Sequence, residues 1–179
     1  GKAKGQHRQH GRRSRRLVGR FGRHQPLGMA RAEASTGLGE APADSLEGKP
    51  ALTAEQQDFS AVAWTGVWCA NMYVDTDFLG AHFRHLWGRE TSHEELMTIG
   101  ARIWNLGRLL NLREGFAREH DRLPAILSVP HPDGAAAGKT VSAAEFRDAL
   151  DEYYRVRGWD ADGVPTEETL ARLSLDVRL

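Results

Sequence analysis

Residues 92–115 read SHEELMTIGARIWNLGRLLNLREG, and this stretch decides the fold class. Ser92 and Glu95 have the spacing of a capping box, in which each side chain bonds the backbone N–H of the other at the start of a helix. The apolar residues behind them recur at intervals of three and four, which places them on one side of an amphipathic helix. They are Leu96, Ile99, Ile103, Leu106 and Leu110. Gly115 is a typical end signal, so the stretch predicts one long helix.

Similar signals lie on both sides of this helix. Further capping boxes are predicted at Thr53–Gln56 and at Ser142–Glu145, and Gly158 is expected to end the helix that follows the second of them. Pro165 and Thr166 predict the start of a last short helix. The chain shows no convincing alternating strand and no internal repeat. The sequence therefore predicts a mainly α fold, with a helical domain over residues 47–179.

The first 46 residues differ in composition from the rest. Ten of the 24 Lys and Arg residues lie in positions 1–31, whereas none of the 24 Asp and Glu residues does, although the formal net charge of the whole chain is zero. This opening has few apolar residues, so it is predicted to be a disordered basic tail or linker. Counterion release would let such a tail bind nucleic acid without sequence preference. We consider that function unlikely, and an extension or an artefact of a damaged gene is the alternative.

Composition excludes several classes of protein. A single cysteine among 179 residues rules out an internal disulfide framework and a self-sufficient cysteine-rich metal site. The longest weakly polar run, residues 61–70, is about half the length that spans a bilayer. No apolar segment near the start resembles a secretory signal. We therefore expect a cytoplasmic protein without a membrane partner, and the start at Gly1 suggests a piece of a larger one.

Two loops resemble ligand-binding motifs but lack their spacing. Residues 134–140 have three residues between the glycines where a phosphate-binding loop has four, and the next helix cap, Ser142, lies beyond Lys139. Residues 160–163 begin like a calcium loop, but Ala171 stands where the closing glutamate belongs. A surface loop and a turn are predicted instead.

Isolated polar side chains give no complete site either. His82, His85 and His93 lack the carboxylate–histidine pattern of a metal site and are predicted to be surface histidines. Asp75, Asp77 and Glu90 are the candidates for an acid–base pair, and solvated side chains are the expected alternative.

Two longer blocks carry a family resemblance. Residues 101–124 read ARIWNLGRLLNLREGFAREHDRLP, and residues 150–166 read LDEYYRVRGWDADGVPT. Both resemble the C-terminal domain of the aldehyde:ferredoxin oxidoreductase family, and the loop between them, with Pro132–Gly134 and Gly138, is also similar to the family's. The resemblance runs from about Glu47 to Leu175 and implies the last helical domain of that fold.

The resemblance also implies cofactors and partners that one chain does not hold alone. Family members carry tungsten or molybdenum on two pterin dithiolenes beside a 4Fe–4S cluster. They oxidise aldehydes with water to carboxylates and pass electrons to ferredoxin. The implied partners are the N-terminal and middle domains of the same enzyme and ferredoxin, and a homo-oligomer is left open. We expect no activity from the isolated chain.

Cys69 is the residue on which this interpretation depends. The stretch before it, QDFSAVAWTGVW, resembles the family sequence that precedes the fourth cluster ligand, which implies that Cys69 is a metal ligand. The alternative is a buried packing residue, the usual state of a lone cysteine. Trp68 and Ala70 are then the residues next to the pterin.

The same stretch departs from the family at two positions. Trp64 stands where the family has an aspartate that binds a pterin, and Val67 stands where it has a glycine. An indole cannot accept the hydrogen bonds of a pterin amino group. A divergent or decaying copy, acting as a catalytically inactive helical interaction module, is therefore the alternative function. Upstream, His24 resembles a family histidine near the metal, which implies a catalytic role for it.

Overall fold

The computed structural model describes residues 46–69, 74–134 and 137–176, and these form five α-helices and two short 3₁₀ turns. The helices are α1 (Lys49–Thr65), α2 (Thr76–Trp87), α3 (His93–Arg113), α4 (Ala143–Arg157) and α5 (Glu167–Arg172), and the turns are Arg118–His120 and Ala125–Ser128. The only β pairing among the described residues is an isolated bridge between Trp159 and Pro165. The predicted mainly α fold is confirmed. The predicted disordered tail lies, except for its last residue, outside the described residues.

Side-chain caps fix the start of four helices. Ser92 accepts a hydrogen bond from the Glu95 backbone N–H at 3.1 Å, and Thr166 caps α5 through the Thr169 N–H at 3.2 Å. Ser142 completes a full capping box, because the Glu145 carboxylate also accepts from the Ser142 N–H at 2.9 Å. These three starts were predicted from the sequence. Asp75, the acid–base candidate, instead caps α2 through the Phe78 N–H at 2.8 Å.

The predicted start of α1 at Thr53 is wrong. The helix begins at Lys49, with Gly48 as its N-cap residue, and Thr53 lies inside it. Pro50 in the first turn explains the earlier start, since proline has the helical φ angle and lacks an N–H that would remain unpaired there.

Helix α1 is central to the packing, because it lies along both α3 and α4, and α2 packs against α3. Gly100 permits the close approach of α1, because a β-carbon at that position would collide with the Asp58 carbonyl group. The resulting apolar core unites six buried side chains from α1, α2 and α3. They are Phe59, Val62, Ala63, Leu79, Phe83 and Leu96.

None of the helices in the described part of the chain combines the length and the apolar character that crossing a bilayer requires.

Candidate functional site

The candidate site is the turn that follows α1. The Val67 N–H bonds the Trp64 carbonyl at 3.0 Å, and the Trp68 N–H reaches back to the Ala63 carbonyl at 3.2 Å. This pair of bonds is the Schellman motif, which ends a helix with one residue in the left-handed conformation. That residue is Val67, with φ of 63°. The chain therefore reverses sharply just before Cys69.

Trp68 anchors this turn to the domain. Its ring lies edge-on to Phe78 and to His82, with centroid separations of 4.8 and 5.3 Å. A β-carbon on Gly66 would lie 2.8 Å from Cδ1 of the indole, so the glycine makes room for the ring. The indole Nε1 is buried and donates no hydrogen bond to the described residues. The side chain of Trp68 thus faces the helical domain. Its packing fixes the position of the backbone just before Cys69.

That next residue is Cys69, and its side chain is exposed. It is therefore not the buried packing residue that was the alternative in the sequence analysis. No three His, Cys, Asp or Glu side chains of the described residues lie close enough together to hold a metal ion. The role of Cys69 as a metal ligand therefore stays a prediction.

The other predicted site residues divide into two groups. Ala70 and His24 lie outside the described residues, so their roles stay predictions. Trp64 is half-buried in the last turn of α1. An indole at this position does not fit the pterin contact that the family resemblance implies, because its only polar group is a donor.

The two loops that resemble ligand-binding motifs are each held by hydrogen bonds within the loop. In residues 131–139, His131 and Lys139 are joined by a backbone hydrogen bond of 3.0 Å, and the Gly138 N–H bonds the His131 carbonyl at 2.8 Å, so the loop closes on itself. The Asp160 carboxylate accepts from the N–H groups of Asp162 and Val164, each at 2.9 Å. The latter arrangement is the predicted turn.

Sequence reasoning missed a buried polar network between the helices. The side chain of Arg157 is 3% exposed; its guanidinium bonds Asp58 at 2.5 Å and Gln57 at 2.6 Å in α1. Tyr153, one turn earlier, donates to the same Gln57 oxygen and accepts from Trp104 at 2.9 Å. Burial raises the pKa of the Asp58 carboxyl, although Arg157 favours its charged form.

A second buried arginine organises the end of the domain. Arg108 of α3 pairs with Asp121 at 2.7 Å, donates to the Gly163 carbonyl at 2.7 Å and lies 4.9 Å above the Trp159 ring. The Trp159 indole in turn donates to Asn105 at 2.8 Å. The two blocks that carry the family resemblance thus meet in this network. Its residues join α3 to the segments on either side of α4.

Comparison with known proteins identifies the family. Residues 16–175 match the family model for aldehyde ferredoxin oxidoreductase, domains 2 and 3. The match begins well before the resemblance seen from Glu47 onward, and it includes part of the basic segment.

Individual relatives agree with this match. A tungsten-containing aldehyde ferredoxin oxidoreductase of Pyrococcus abyssi is 41% identical over 91 residues, which are 50% of this chain and 14% of the relative. The enzyme of the same name from Pyrococcus horikoshii is 39% identical over 103 residues, 56% of this chain and 16% of the relative. The WOR-like subunit of an aliphatic sulfonate oxidoreductase from Pyrococcus furiosus is 32% identical over 90 residues, 48% of this chain and 14% of the relative.

These matches cover only 14–16% of the length of the relatives. The match to the family model, in contrast, extends over most of the chain and agrees with the helical fold and the two sequence blocks. This chain belongs to the aldehyde ferredoxin oxidoreductase family and corresponds to its C-terminal region.

Proposed function

We propose that this chain is the C-terminal helical part of an oxidoreductase that converts aldehydes to carboxylates, and that Cys69 supplies one ligand of a 4Fe–4S cluster. The observation that carries the proposal is the exposed Cys69 thiol at the end of α1, in a chain that belongs to this family. A lone thiolate on a surface suits a cluster that two domains share, because such clusters need four ligands.

The residues around Cys69 have a positioning role in this proposal. Trp68 is held between Phe78 and His82, so the backbone that carries the cysteine is tied to α2. A fixed ligand costs less conformational entropy when it binds than a mobile one does. When bound, the tungsten or molybdenum bis-pterin group and the cluster would supply the redox chemistry that the relatives' names describe. We assign no pterin contact to Trp64.

The proposal names the partners as well. The other domains of the same enzyme would supply the remaining cluster ligands, and ferredoxin would accept the electrons. We place the protein in the cytoplasm.

The test is to co-express the chain with a polypeptide that carries the family's other domains. We expect iron to co-purify and the reduced complex to give the EPR signal of a 4Fe–4S cluster. Cys69→Ala should lose the cluster or convert it to a three-iron form, while the far-UV circular dichroism of the domain stays unchanged. The control is Thr65→Ala, which truncates another exposed side chain near the turn and should retain the signal.

A second candidate function is a helical interaction module without redox chemistry. It is favoured by the indole of Trp64 and by the strained Val67 in the ligand-bearing turn. An unchanged 4Fe–4S signal in the Cys69→Ala complex would rule out the ligand role and make this second function the better one. Failure of the unmodified complex to take up iron would do the same.

A further inference from the structure

We propose that an exposed apolar strip beside the candidate cluster ligand is the surface on which the other domains of the same enzyme dock, an inference that rests on the function proposed above. The strip consists of five side chains from the turn after α1 and from α2: Val67, Trp68, Phe78, His82 and Leu86. Solvent reaches three large apolar side chains among them, since Val67 is 91%, Phe78 44% and Leu86 62% exposed. Exposed apolar side chains that lie together on a surface mark sites of protein–protein contact.

The strip is continuous and begins at Cys69. Phe78, His82 and Leu86 follow one another at intervals of four residues, which places them on one face of α2. The Trp68 ring packs edge-on against both Phe78 and His82, so it joins this face to the turn. Cys69 comes directly after Trp68. A group bound at the cysteine therefore lies against one end of the strip.

A shared cluster selects this strip from the other exposed apolar residues. A polypeptide that supplies the remaining three thiolates of a 4Fe–4S cluster has to approach Cys69 closely, because all four ligands bond one compact group. It then covers Val67 and the neighbouring end of α2. Apart from Trp87, whose ring stacks on Phe83, the other exposed large apolar side chains of the described residues lie on α3, on α4 and within residues 125–129.

Val67 is a second, independent indication of a partner. Its left-handed backbone conformation is strained for a β-branched residue, and its side chain is almost fully exposed. In the domain alone, this side chain therefore gains no burial that would offset the strain. Contact with a partner would supply that burial.

The partner surface that fits the strip is largely apolar. Four of the five side chains carry no ionisable group, and the ring of His82, the fifth, packs against Trp68 and Phe83. The matches to known relatives cover only 14–16% of those proteins, so each relative has a large further part that can lie against a domain of this kind. We assign the strip to that further part of the family fold rather than to a second copy of this chain.

Binding of the full chain to a polypeptide that carries the family's other domains tests the docking surface. Leu86→Glu should raise the dissociation constant about tenfold, because one leucine loses its burial and a carboxylate is desolvated instead. Leu110→Glu is the matched control, since it makes the same change at an exposed leucine of α3 and should leave binding unchanged. Isothermal titration calorimetry measures both constants, and far-UV circular dichroism verifies that both variants keep their helices.

A variant in the turn probes the other end of the strip. Val67→Asn removes the apolar side chain and keeps the left-handed conformation, which asparagine tolerates. We expect it to raise the dissociation constant about fivefold. Val129→Asn, the same change at another exposed valine, should bind like the unmodified chain.

The Cys69→Ala variant separates the docking surface from the ligand role. If it keeps an unchanged cluster signal while Leu86→Glu and Val67→Asn weaken binding, the ligand role fails and the docking surface stands. If both strip variants bind as tightly as the unmodified chain, the docking surface fails, whatever the cluster does. Absence of binding by the unmodified chain would also overturn it. So would a dimer of the chain alone, detected by sedimentation, that Leu86→Glu dissociates and Leu110→Glu does not, because the occupant is then a second copy.

Discussion

At the scale of single residues, Val67 marks a conflict between the backbone and the side chain. It is a β-branched residue at φ of 63°, and its side chain is 91% exposed, so no packing offsets the strain. Helices α3 and α4 end with the same bond pattern, but they have Gly115 and Gly158 at the corresponding positions, with φ of 82° and 69°. Glycine adopts this conformation without a steric penalty.

We therefore expect Val67→Gly to raise the free energy of unfolding by about 1 kcal/mol, the relief of left-handed strain less the added entropy of an unfolded glycine. Urea denaturation measures the change. Thr65→Gly is the control: it introduces a glycine into the last regular turn of α1 and should lower the stability by a similar amount. A Val67→Gly protein no more stable than the unmodified chain would show that the turn is not strained.

The sequence identified this residue but not its conformation. The family resemblance pointed to Val67 as a departure from a glycine, and the backbone angle supplies the physical reason for that glycine. Likewise, Cys69 stood out in the sequence as the single cysteine, but its exposure depends on how Trp68 packs against α2. Such contacts join separate helices, and local patterns do not encode them.

At the scale of the helices, α3 carries two glycines in opposite environments. A β-carbon on Gly100 would collide with the Asp58 carbonyl of α1, whereas Gly107 has no neighbouring heavy atom within 4 Å. We expect Gly100→Ala to lower the free energy of unfolding by about 1–3 kcal/mol, because the backbone of α1 must move. Gly107→Ala should instead raise it by about 1 kcal/mol, the helix propensity that alanine gains over glycine.

Thermal unfolding of the two variants compares them directly, since they place the same substitution in the same helix. Equal effects would contradict the close crossing of α1 and α3. The sequence predicted α3 as a helix but could not separate these glycines, because both interrupt its pattern in the same way.

The first residues of the helices show which features of the fold can be predicted from the sequence. Ser92, Ser142 and Thr166 cap helices as predicted, because the bond each one makes is local. Thr53 has the same spacing to Gln56 but caps nothing, because Pro50 and Gly48 start the helix a turn earlier. A capping signal therefore predicts a helix nearby more securely than it predicts its first residue.

At the scale of the whole molecule, four of the five helices were predicted from the sequence, but α2 and the contacts that join the helices were not. Helical periodicity predicts only part of the apolar core, because Leu106 and Leu110, on the predicted apolar side of α3, are 42% and 46% exposed. It does not predict the polar network, because Arg157 and Asp58 lie 99 residues apart and each also fits an exposed helix face. The candidate site was predictable only as a residue, Cys69, since the arrangement around it depends on the packing of α1 against α2.

The substitution Arg157→Leu tests how strongly the polar network holds α1 and α4 together. This change leaves the buried Asp58 carboxylate without its partner and removes the donors to Gln57 and the Ala54 carbonyl. An unpaired buried charge typically costs about 3–5 kcal/mol, so we expect a loss of that size in urea denaturation. Arg155→Leu, an exposed change in the same helix, should stay within about 0.5 kcal/mol of the unmodified chain.

A double variant separates the charge from the packing. Replacing Asp58 and Arg157 together by leucine and methionine removes both members of this ion pair, and apolar substitutes of similar volume often match a buried ion pair in stability. We therefore expect the double variant to recover most of the loss seen in Arg157→Leu. If both variants are equally unstable, the arginine acts through its contacts with Gln57, Tyr153 and Trp104, and α1 is joined to α4 by packing and neutral hydrogen bonds rather than by the ion pair.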